Sequence, residues 1–335
     1  MEKVMSKTIL TFDIGESYIK IAHKEKDSIK VYVEQMPENL MKDGIIQMPH
    51  MMTDFLKGLK KELHLPKGDC GVVIPDELTV CRTLVLPAMT AKQLEVNLPF
   101  EFSDYISGEP QKYVYDYAMQ EMIYDEDENP KEMVLTGAVM SKESVASYVN
   151  IFKNAGFRLR TLIPQEIALT NVMRTALEAG RVEKDKEYCV VNLGHRATQV
   201  YIFKGDRLNV IRNIPVGNVA IDKVISENEN VDEFVARTYK NKNFNNILEK
   251  DYAKETFGMI AVEVMKVINF YRFNNRETML EDMYFAGGGS NIIDLCNSIA
   301  EANALNGRRM IELLPDGMDK NTDLSGTLAI GVLLQ

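Results

Sequence analysis

The sequence is poor in most features that mark a specialised chemistry. Its four cysteines, Cys70, Cys81, Cys189 and Cys296, stand far apart without a CxxC pair. They read as buried, reduced thiols, Cys189 lying inside an apolar run. The four histidines, His23, His50, His64 and His195, show no metal-ligand spacing, so no zinc site is expected. No apolar run approaches the roughly 20 residues needed to span a bilayer. The opening stretch MEKVMSKTIL has no apolar h-region and is not a signal peptide. Positive charge is also in deficit. Lys and Arg number 39 against 49 Asp and Glu, giving a net charge of −10 and a pI near 5.1. A general nucleic-acid binder normally carries a basic face, so that class is disfavoured. The chain reads as cytoplasmic, with no direct membrane insertion and any membrane association made through a partner.

What is present is ordinary soluble composition, 45% hydrophobic and 26% charged over 335 residues, long enough for two domains. Ile9–Phe12, YIKIAHK and DSIKVYVEQMP read as a three-strand meander. MPHMMTDFLKGLKKELHL reads as an amphipathic helix with Met52, Phe55, Leu56, Leu59 and Leu63 on one stripe. CGVVIP reads as a buried strand. From Cys81 the texture changes. RTLVLP is a strand. TAKQLEVNLPFEFSDYI is a helical segment capped by Thr90 and bent or ended by Pro99. KYVYDYAMQEMI and KEMVLTGAVM are strands, SKESVASYVNIFKNAG is a helix stopped by Gly156, and FRLRTLIP is one more strand. This order suggests an inserted α+β module at 81–163. Beyond it come a helix, a second meander, three helices, the strand–glycine turn–helix DMYFAGGGSNIIDLCNSIAEAN, and a terminal helix in LSGTLAIGVLLQ.

The two meanders are related. Residues 8–31 lie over 187–210 without a gap, a shift of 179 that carries Asp13 onto Asn192, Gly15 onto Gly194 and Asp27 onto Asp206. A hairpin used twice with glycine at its tip suits phosphate binding, because glycine lets backbone N–H groups approach an anion closely. Ser17 and Thr198 offer hydroxyls, and Asp13 is the candidate ligand for a hydrated Mg²⁺. Alone, each is an ordinary hairpin. The run Gly287-Gly288-Gly289-Ser290 ends a strand and opens a helix, an anion-friendly turn or a plain strand–helix connection. Glu263 and Lys266 are i, i+3 neighbours, either a surface ion pair or a grip on ribose hydroxyls. Glu16, His195 and Arg196 complete the candidate cofactor-binding set.

These elements in this order resemble the actin-like ATPase superfamily, which includes actin, heat-shock ATPases and sugar kinases. The run LPAMTAKQLEVNLPFEFSDYI, then YVYDYAM, and the ending LAIGVLLQ look like the PilM family of type IV pilus assembly proteins, on the branch shared with FtsA. The resemblance implies an α/β actin-like fold: two related lobes around a nucleotide cleft, with a small α+β insert. The first subdomain is expected at 1–80 and 164–186 with the 325–335 helix packing back, the insert at 81–163, and the second lobe at 187–324. It further implies ATP and Mg²⁺ as ligands, and location at the inner membrane through a partner. That partner is the cytoplasmic tail of a bitopic, PilN-like protein, with other pilus assembly proteins as further candidates. Against the family pattern, Asn192 replaces an expected Asp, Gln165 stands where Glu is common with Glu166 beside it, and Gly217-Asn218 replaces a Gly-Gly doublet. Asp13, Gln165, Glu166 and Asn192 are the nearest catalytic candidates, and at most slow ATPase activity is expected. The alternatives are a polymerising FtsA-like cell-division adaptor and a sugar-kinase-type enzyme.

Overall fold

The computed structural model describes residues 10–25, 28–318 and 322–334. Ile9 of the expected first strand, Lys26 and Asp27 of the first meander, and Gln335 lie outside these residues. Contacts gather the chain into two units, Met1–His23 with Glu34–Ala168, and Lys24–Val33 with Leu169–Gln335.

The first meander consists of β1 (Leu10–Ile14), β2 (Tyr18–Glu25) and β3 (Ser28–Gln35). β1 is buried along its whole length, as a strand covered on both faces must be. After the short pair β4 (Met41–Lys42) and β5 (Ile45–Ile46) comes α1 (Pro49–Glu62). Pro49 starts α1 at no hydrogen-bond cost, since its missing N–H would lack a helical partner there. Met52, Leu56 and Leu59, three or four residues apart, form the buried stripe, while Phe55 and Leu63 are half-buried. β6 (Asp69–Ile74) then pairs with β1 in parallel, on the side opposite the antiparallel β2.

A separate three-stranded sheet follows. It is built of β7 (Thr79–Pro87), β8 (Tyr113–Tyr124) and β9 (Pro130–Ser141) in the order β7-β9-β8, with α2 (Ala91–Glu101) packed on it. Thr90 and Gln93 make a reciprocal capping box at the start of α2. Pro99 lies inside α2, which runs on to Glu101, so the proline does not end the helix. The core here is Leu84, Leu86, Leu94, Leu98, Phe102, Met133, Leu135 and Val139. Gly137 admits Phe102: a Cβ there would sit 3.0 Å from its ring.

α3 (Lys142–Asn154) and β10 (Arg158–Pro164) differ from the expected arrangement. Both fall within the expected insert at 81–163, yet β10 pairs in parallel with β6 in the first sheet. Phe12 of β1 meets Phe152 of α3 edge-on at 5.0 Å and Phe157 at 5.2 Å. The run RLRTLIP specifies a strand but not the sheet it joins, so its pairing is invisible to periodicity. The resulting sheet order is β10-β6-β1-β2-β3.

α4 (Gln165–Glu178) leads to the second meander, β11 (Glu187–Leu193), β12 (Thr198–Lys204) and β13 (Arg207–Ile214). Three helices follow, α5 (Val219–Glu229), α6 (Glu233–Lys242) and α7 (Asp251–Asn274). Then come β14 (Asp282–Ala286), α8 (Ile293–Ala302), β15 (Asn306–Arg309) and α9 (Thr327–Leu333). The second sheet has the order β13-β12-β11-β14-β15. Each sheet is therefore a meander followed by two parallel strands on the far side of its first strand. Alternate β11 and β12 residues, Cys189, Val191, Val200 and Ile202, pack with Phe257, Ile260, Val264 and Ile268 of α7 in one core. On α4, Asn171 donates to the Gly331 carbonyl of α9 at 3.1 Å. Cys70, Cys189 and Cys296 are buried, Cys81 is half-buried, and all four are free.

The pairing of β10 makes a direct prediction. A chain in which residues 79–141 are replaced by a short Gly/Ser linker should keep a cooperative unfolding transition by circular dichroism. Removal of 81–163 takes away α3 and β10 and should abolish that transition.

Candidate functional site

The two hairpins share more than a sequence pattern. In the first, Asp13 is paired in register with Lys20 and Ile14 with Ile19. In the second, Asn192 is paired with Gln199 and Leu193 with Thr198. Gly15 N–H donates to the Tyr18 carbonyl at 3.0 Å, and Gly194 N–H to the Ala197 carbonyl at 3.0 Å. All these positions correspond under the same 179-residue shift. The turn leaves little room for a side chain at Gly15 and none at Gly194. A Cβ would lie 3.0 Å from the Tyr18 oxygen at Gly15, and 2.7 Å from the Ala197 oxygen at Gly194.

Their chemistry diverges. Asp13 is buried, and its Oδ2 is 3.2 Å from Lys20 Nζ. That ammonium also lies over the turn, 3.4 Å from where a Gly15 Cβ would be. Ser17 is buried with its hydroxyl unmatched by any hydrogen-bond partner. Glu16 Oε1 accepts from Gly44 N–H at 3.4 Å, tying the β4–β5 turn to the hairpin. The first tip thus collects a carboxylate, an ammonium and an unsatisfied hydroxyl around a glycine turn. An unsatisfied buried hydroxyl costs about 1–3 kcal/mol, and an incoming phosphate oxygen would satisfy it. The set fits a phosphate with hydrated Mg²⁺, because magnesium uses few protein carboxylates and keeps water and phosphate oxygens. Among the described residues no three His, Cys, Asp or Glu side chains cluster as ligands, so Asp13 would need such non-protein oxygens.

At the second tip the strand-end pair is neutral, and the tip is filled by the chain itself. Asn192 Nδ2 donates to Gln199 Oε1 at 3.0 Å, an amide pair where the first hairpin has an ion pair. The Thr198 hydroxyl is fully buried and donates to the Val216 carbonyl at 2.8 Å. Asn218 Nδ2 donates to the carbonyls of Leu193 at 2.9 Å and Gly194 at 2.8 Å, so the side chain replacing a second glycine clamps the tip. Gly217 packs so closely that a Cβ would meet the His195 oxygen at 2.6 Å. Gly287, with φ +78°, and Gly289 are likewise spent on packing: a Cβ would meet Asn192 Oδ1 at 2.5 Å and Leu193 Cβ at 2.7 Å respectively. Gly288 faces open space. The Ser290 hydroxyl donates back to the Gly287 carbonyl at 2.7 Å. A 3-10 turn at Gly288–Asn291 separates this run from α8, whereas the sequence reading had the glycines open the helix directly.

His195 and Arg196 lie at the second tip, His195 half-buried and Arg196 exposed. His195 Nδ1 is 4.0 Å from Asp222 Oδ2. Asp222 is fully buried and is also held by Lys240 Nζ at 2.6 Å and Arg237 Nε at 3.4 Å. Burial pulls the Lys240 ammonium below its usual pKa, against the opposing pull of Asp222. Sequence reading missed this cluster and Lys20. Lys20 was legible as the residue that a two-residue turn places opposite Asp13. The Asp222 cluster was not, because its members come from a tip and two helices. Glu263 and Lys266 form a 2.6 Å ion pair on α7. The Lys266 side chain is 64% exposed, on the face away from the buried Ile260, Val264 and Ile268.

Gln165 is half-buried at the start of α4, while Glu166 turns inward and is buried. Burial, then the nearby Asp76 carboxylate, pushes the Glu166 carboxyl up to about 8. The same two acids add to the burial that raises the Cys81 thiol.

Two five-stranded sheets of one topology, each with a glycine-tipped hairpin at its first strand, define an actin-like ATPase fold. Solved structures agree. The chain matches the PilM-PilN type IV pilus biogenesis complex at TM-score 0.81 and 20% identity over 98% of both chains. It matches the ethanolamine utilization protein EutJ of Carboxydothermus hydrogenoformans at TM-score 0.60 and 13% identity, over 99% of this chain and 90% of that one. MreB 5 of Spiroplasma citri bound to AMPPNP matches at TM-score 0.52 and 10% identity, over 96% and 94%. No curated protein sequence matches the chain. Within this fold the particular family is also fixed: the chain belongs to the type IV pilus assembly protein PilM family, whose pattern it matches over residues 11–312. Among the described residues no helix is long and apolar enough to cross a membrane.

Two predictions follow from burial. Between the ordinary carboxylate value and about 8 the folded chain keeps a Glu166 proton that the unfolded chain releases, so stability falls as pH rises through that window. Glu166→Gln should remove this slope, gaining about 1–3 kcal/mol over wild type near pH 8.5 and little near pH 4.5, by urea unfolding. Asp222→Ala leaves Lys240 buried and unpaired and should cost about 3–5 kcal/mol in the same assay.

Proposed function

We propose that the chain is an ATP-binding scaffold of type IV pilus assembly, cytoplasmic and held at the inner membrane by the tail of a bitopic PilN-like protein. The first hairpin carries the nucleotide part of this reading. There, Asp13, Lys20 and the unsatisfied Ser17 hydroxyl converge on a turn tightly packed around Gly15. In this role the Lys20 ammonium and Ser17 hydroxyl meet phosphate oxygens, and Asp13 holds hydrated Mg²⁺ while keeping Lys20 oriented. The metal would supply charge neutralisation for the phosphates. In the second hairpin the corresponding pair is uncharged, Asn192 donating to Gln199.

Turnover is proposed to be slow. A general base typically contributes 10²–10⁴-fold and must be deprotonated near the working pH. Asn192 is an amide and carries no base at neutral pH. Glu166 is held protonated by burial up to about 8. Nucleotide then acts as a structural ligand that biases the conformation competent for partner binding. The partner reading rests on family membership and on the likeness to the PilM-PilN complex. The sheet β7-β9-β8 with α2 is the proposed determinant of partner specificity. Neither a polymerising FtsA-like adaptor nor a sugar kinase has an observation in its favour here.

Isothermal titration with Mg-ATP tests the nucleotide site. Asp13→Ala and Lys20→Ala should each weaken binding at least about tenfold, the size expected for one charge-assisted contact. Unchanged affinity in both would remove the first hairpin from the site. Steady-state hydrolysis should fall well below about 1 s⁻¹, the slow end of ordinary enzymes. Pull-down with a PilN-like cytoplasmic tail tests the scaffold. Loss of capture on removal of 79–141, with ATP affinity retained, is the expected result.

A further inference from the structure

One end of the second sheet opens into a groove of about 950 Å³. Its walls are the turn before β11, the last residue of β12, the end of α7 and the segment joining α7 to β14. All lie in one unit of the chain. Five carboxylates line it, Glu183, Asp185, Glu187, Glu277 and Glu281, against three cations. Two of the cations are already engaged. Lys186 Nζ lies 2.8 Å from Asp282 Oδ2 and 3.2 Å from Glu281 Oε2, and Lys204 Nζ lies 3.9 Å from Asp185 Oδ1. Arg276 is the third. Glu183 and Glu277 are exposed and make no ion pair among the described residues. Glu187 is fixed in place: its Oε1 accepts from the Tyr271 hydroxyl at 2.5 Å and its Oε2 from the Thr278 hydroxyl. Both donors are neutral, so they orient the carboxylate without cancelling its charge. Burial, then the adjacent Glu187, raises the Tyr271 phenol above its ordinary pKa and keeps it a donor.

The end of α7 adds acceptors, because helix carbonyls carry partial negative charge there. Asn274 Nδ2 donates to the Phe270 carbonyl at 2.8 Å and Asn275 Nδ2 to the Tyr271 carbonyl at 2.9 Å, which leaves each amide oxygen to accept. Arg272, the basic residue of the last turn, donates to the Asn303 carbonyl at 3.1 Å. Apolar surface meets this acidic lining. Phe273, 75% exposed, and Met279, 74%, are the two most exposed large apolar side chains among the described residues, and both belong to the groove. An aromatic face and a thioether accept cationic and apolar neighbours alike.

We propose that this groove docks a short basic segment of a partner protein, in which Lys or Arg side chains flank an apolar one. Charge selects this occupant. The chain has a net charge of −10, so a second copy would bring carboxylates to a surface that already holds an excess of them. Nucleic acid or an anionic membrane would bring phosphates to the same excess. A metal ion finds no cluster of three ligands among the described residues, and neither it nor a small polyamine covers Phe273 and Met279. A basic segment with an apolar side chain meets both demands. Its ammonium or guanidinium groups face Glu183, Glu187 and Glu277, and its apolar side chain lies against Phe273 and Met279. An acidic groove also steers such a segment inward over competitors of the opposite charge. The site is distinct from the sheet β7-β9-β8, which belongs to the other unit.

Fluorescence anisotropy on the full chain tests the proposal with a panel of labelled short peptides, each carrying several Lys or Arg and one Leu or Phe in permuted order. At least one member should bind saturably at physiological salt. For that member, Glu183→Lys with Glu277→Lys should weaken binding at least about tenfold, since like charges then face each other. Phe273→Ser with Met279→Ser should weaken it at least about fivefold through lost apolar contact. Glu227→Lys with Glu255→Lys makes the same change of net charge outside the groove and should alter affinity less than about threefold, because distant charges are screened. Each variant should keep the wild-type circular dichroism spectrum and Mg-ATP affinity. Ser in place of the peptide's apolar residue leaves the protein untouched and should also weaken binding, and spermine should compete poorly. No saturable binding by any member of the panel, or an equal loss in the control pair, would overturn the proposal. Spermine or the Ser-substituted peptide binding as tightly as the parent would overturn it as well, by making the groove a site for small cations.

Discussion

Both sheets are organised by one constraint, the cost of placing a polar side chain at the end of a strand that is covered on both faces. β1 and β11 are buried along nearly their whole length, each between an antiparallel neighbour and a parallel one. A buried charge must be paired and a buried amide must be hydrogen-bonded. Asp13 meets this requirement with Lys20 across the hairpin, and Asn192 meets it with Gln199 at the corresponding position. The duplicated unit therefore solves the same problem twice, once with opposite charges and once with none. The tight glycine turns follow, because only a short tip keeps the paired residues in register.

The chemical asymmetry of the two tips grows from that difference. An ion pair at a turn leaves a local field and, with Ser17, an unmet hydrogen-bond demand. The amide pair leaves neither. Around it Asn218, Gly217, Gly287 and Gly289 close the second tip with the chain's own atoms. The same glycine-rich signature thus has two physical meanings in one molecule. At Gly15 and Gly194 it permits a turn. At Gly287 and Gly289 it permits close packing of a neighbouring segment on the second hairpin. Behind that tip, Asp222 gathers Lys240, Arg237 and His195 into a compensated buried cluster, which holds α5 and α6 against the turn.

How much of this the sequence alone determined can be read from particular residues. Hydrophobic period and turn chemistry placed nearly every strand and helix, because those signals are local: Pro49 and Thr90 mark helix starts, and Gly156 with φ +81° marks a stop. The 179-residue repeat was legible because both copies kept the apolar pattern that a doubly covered strand requires. Asp13, Gly15, Asn192 and Gly194 could be singled out on that basis. The tertiary structure alone decided matters that depend on pairing between distant segments. It put β10 beside β6, since a short alternating run such as RLRTLIP marks a strand without marking its partner. It turned Glu166 inward instead of Gln165, and exposed one face of α7 while burying the other. It also consumed the Thr198 hydroxyl on Val216 while leaving that of Ser17 unmatched. A residue's type fixes which interactions it is able to make. Which of them it makes is set by the groups that folding brings within about 3 Å, and those come from parts of the chain that local sequence does not see.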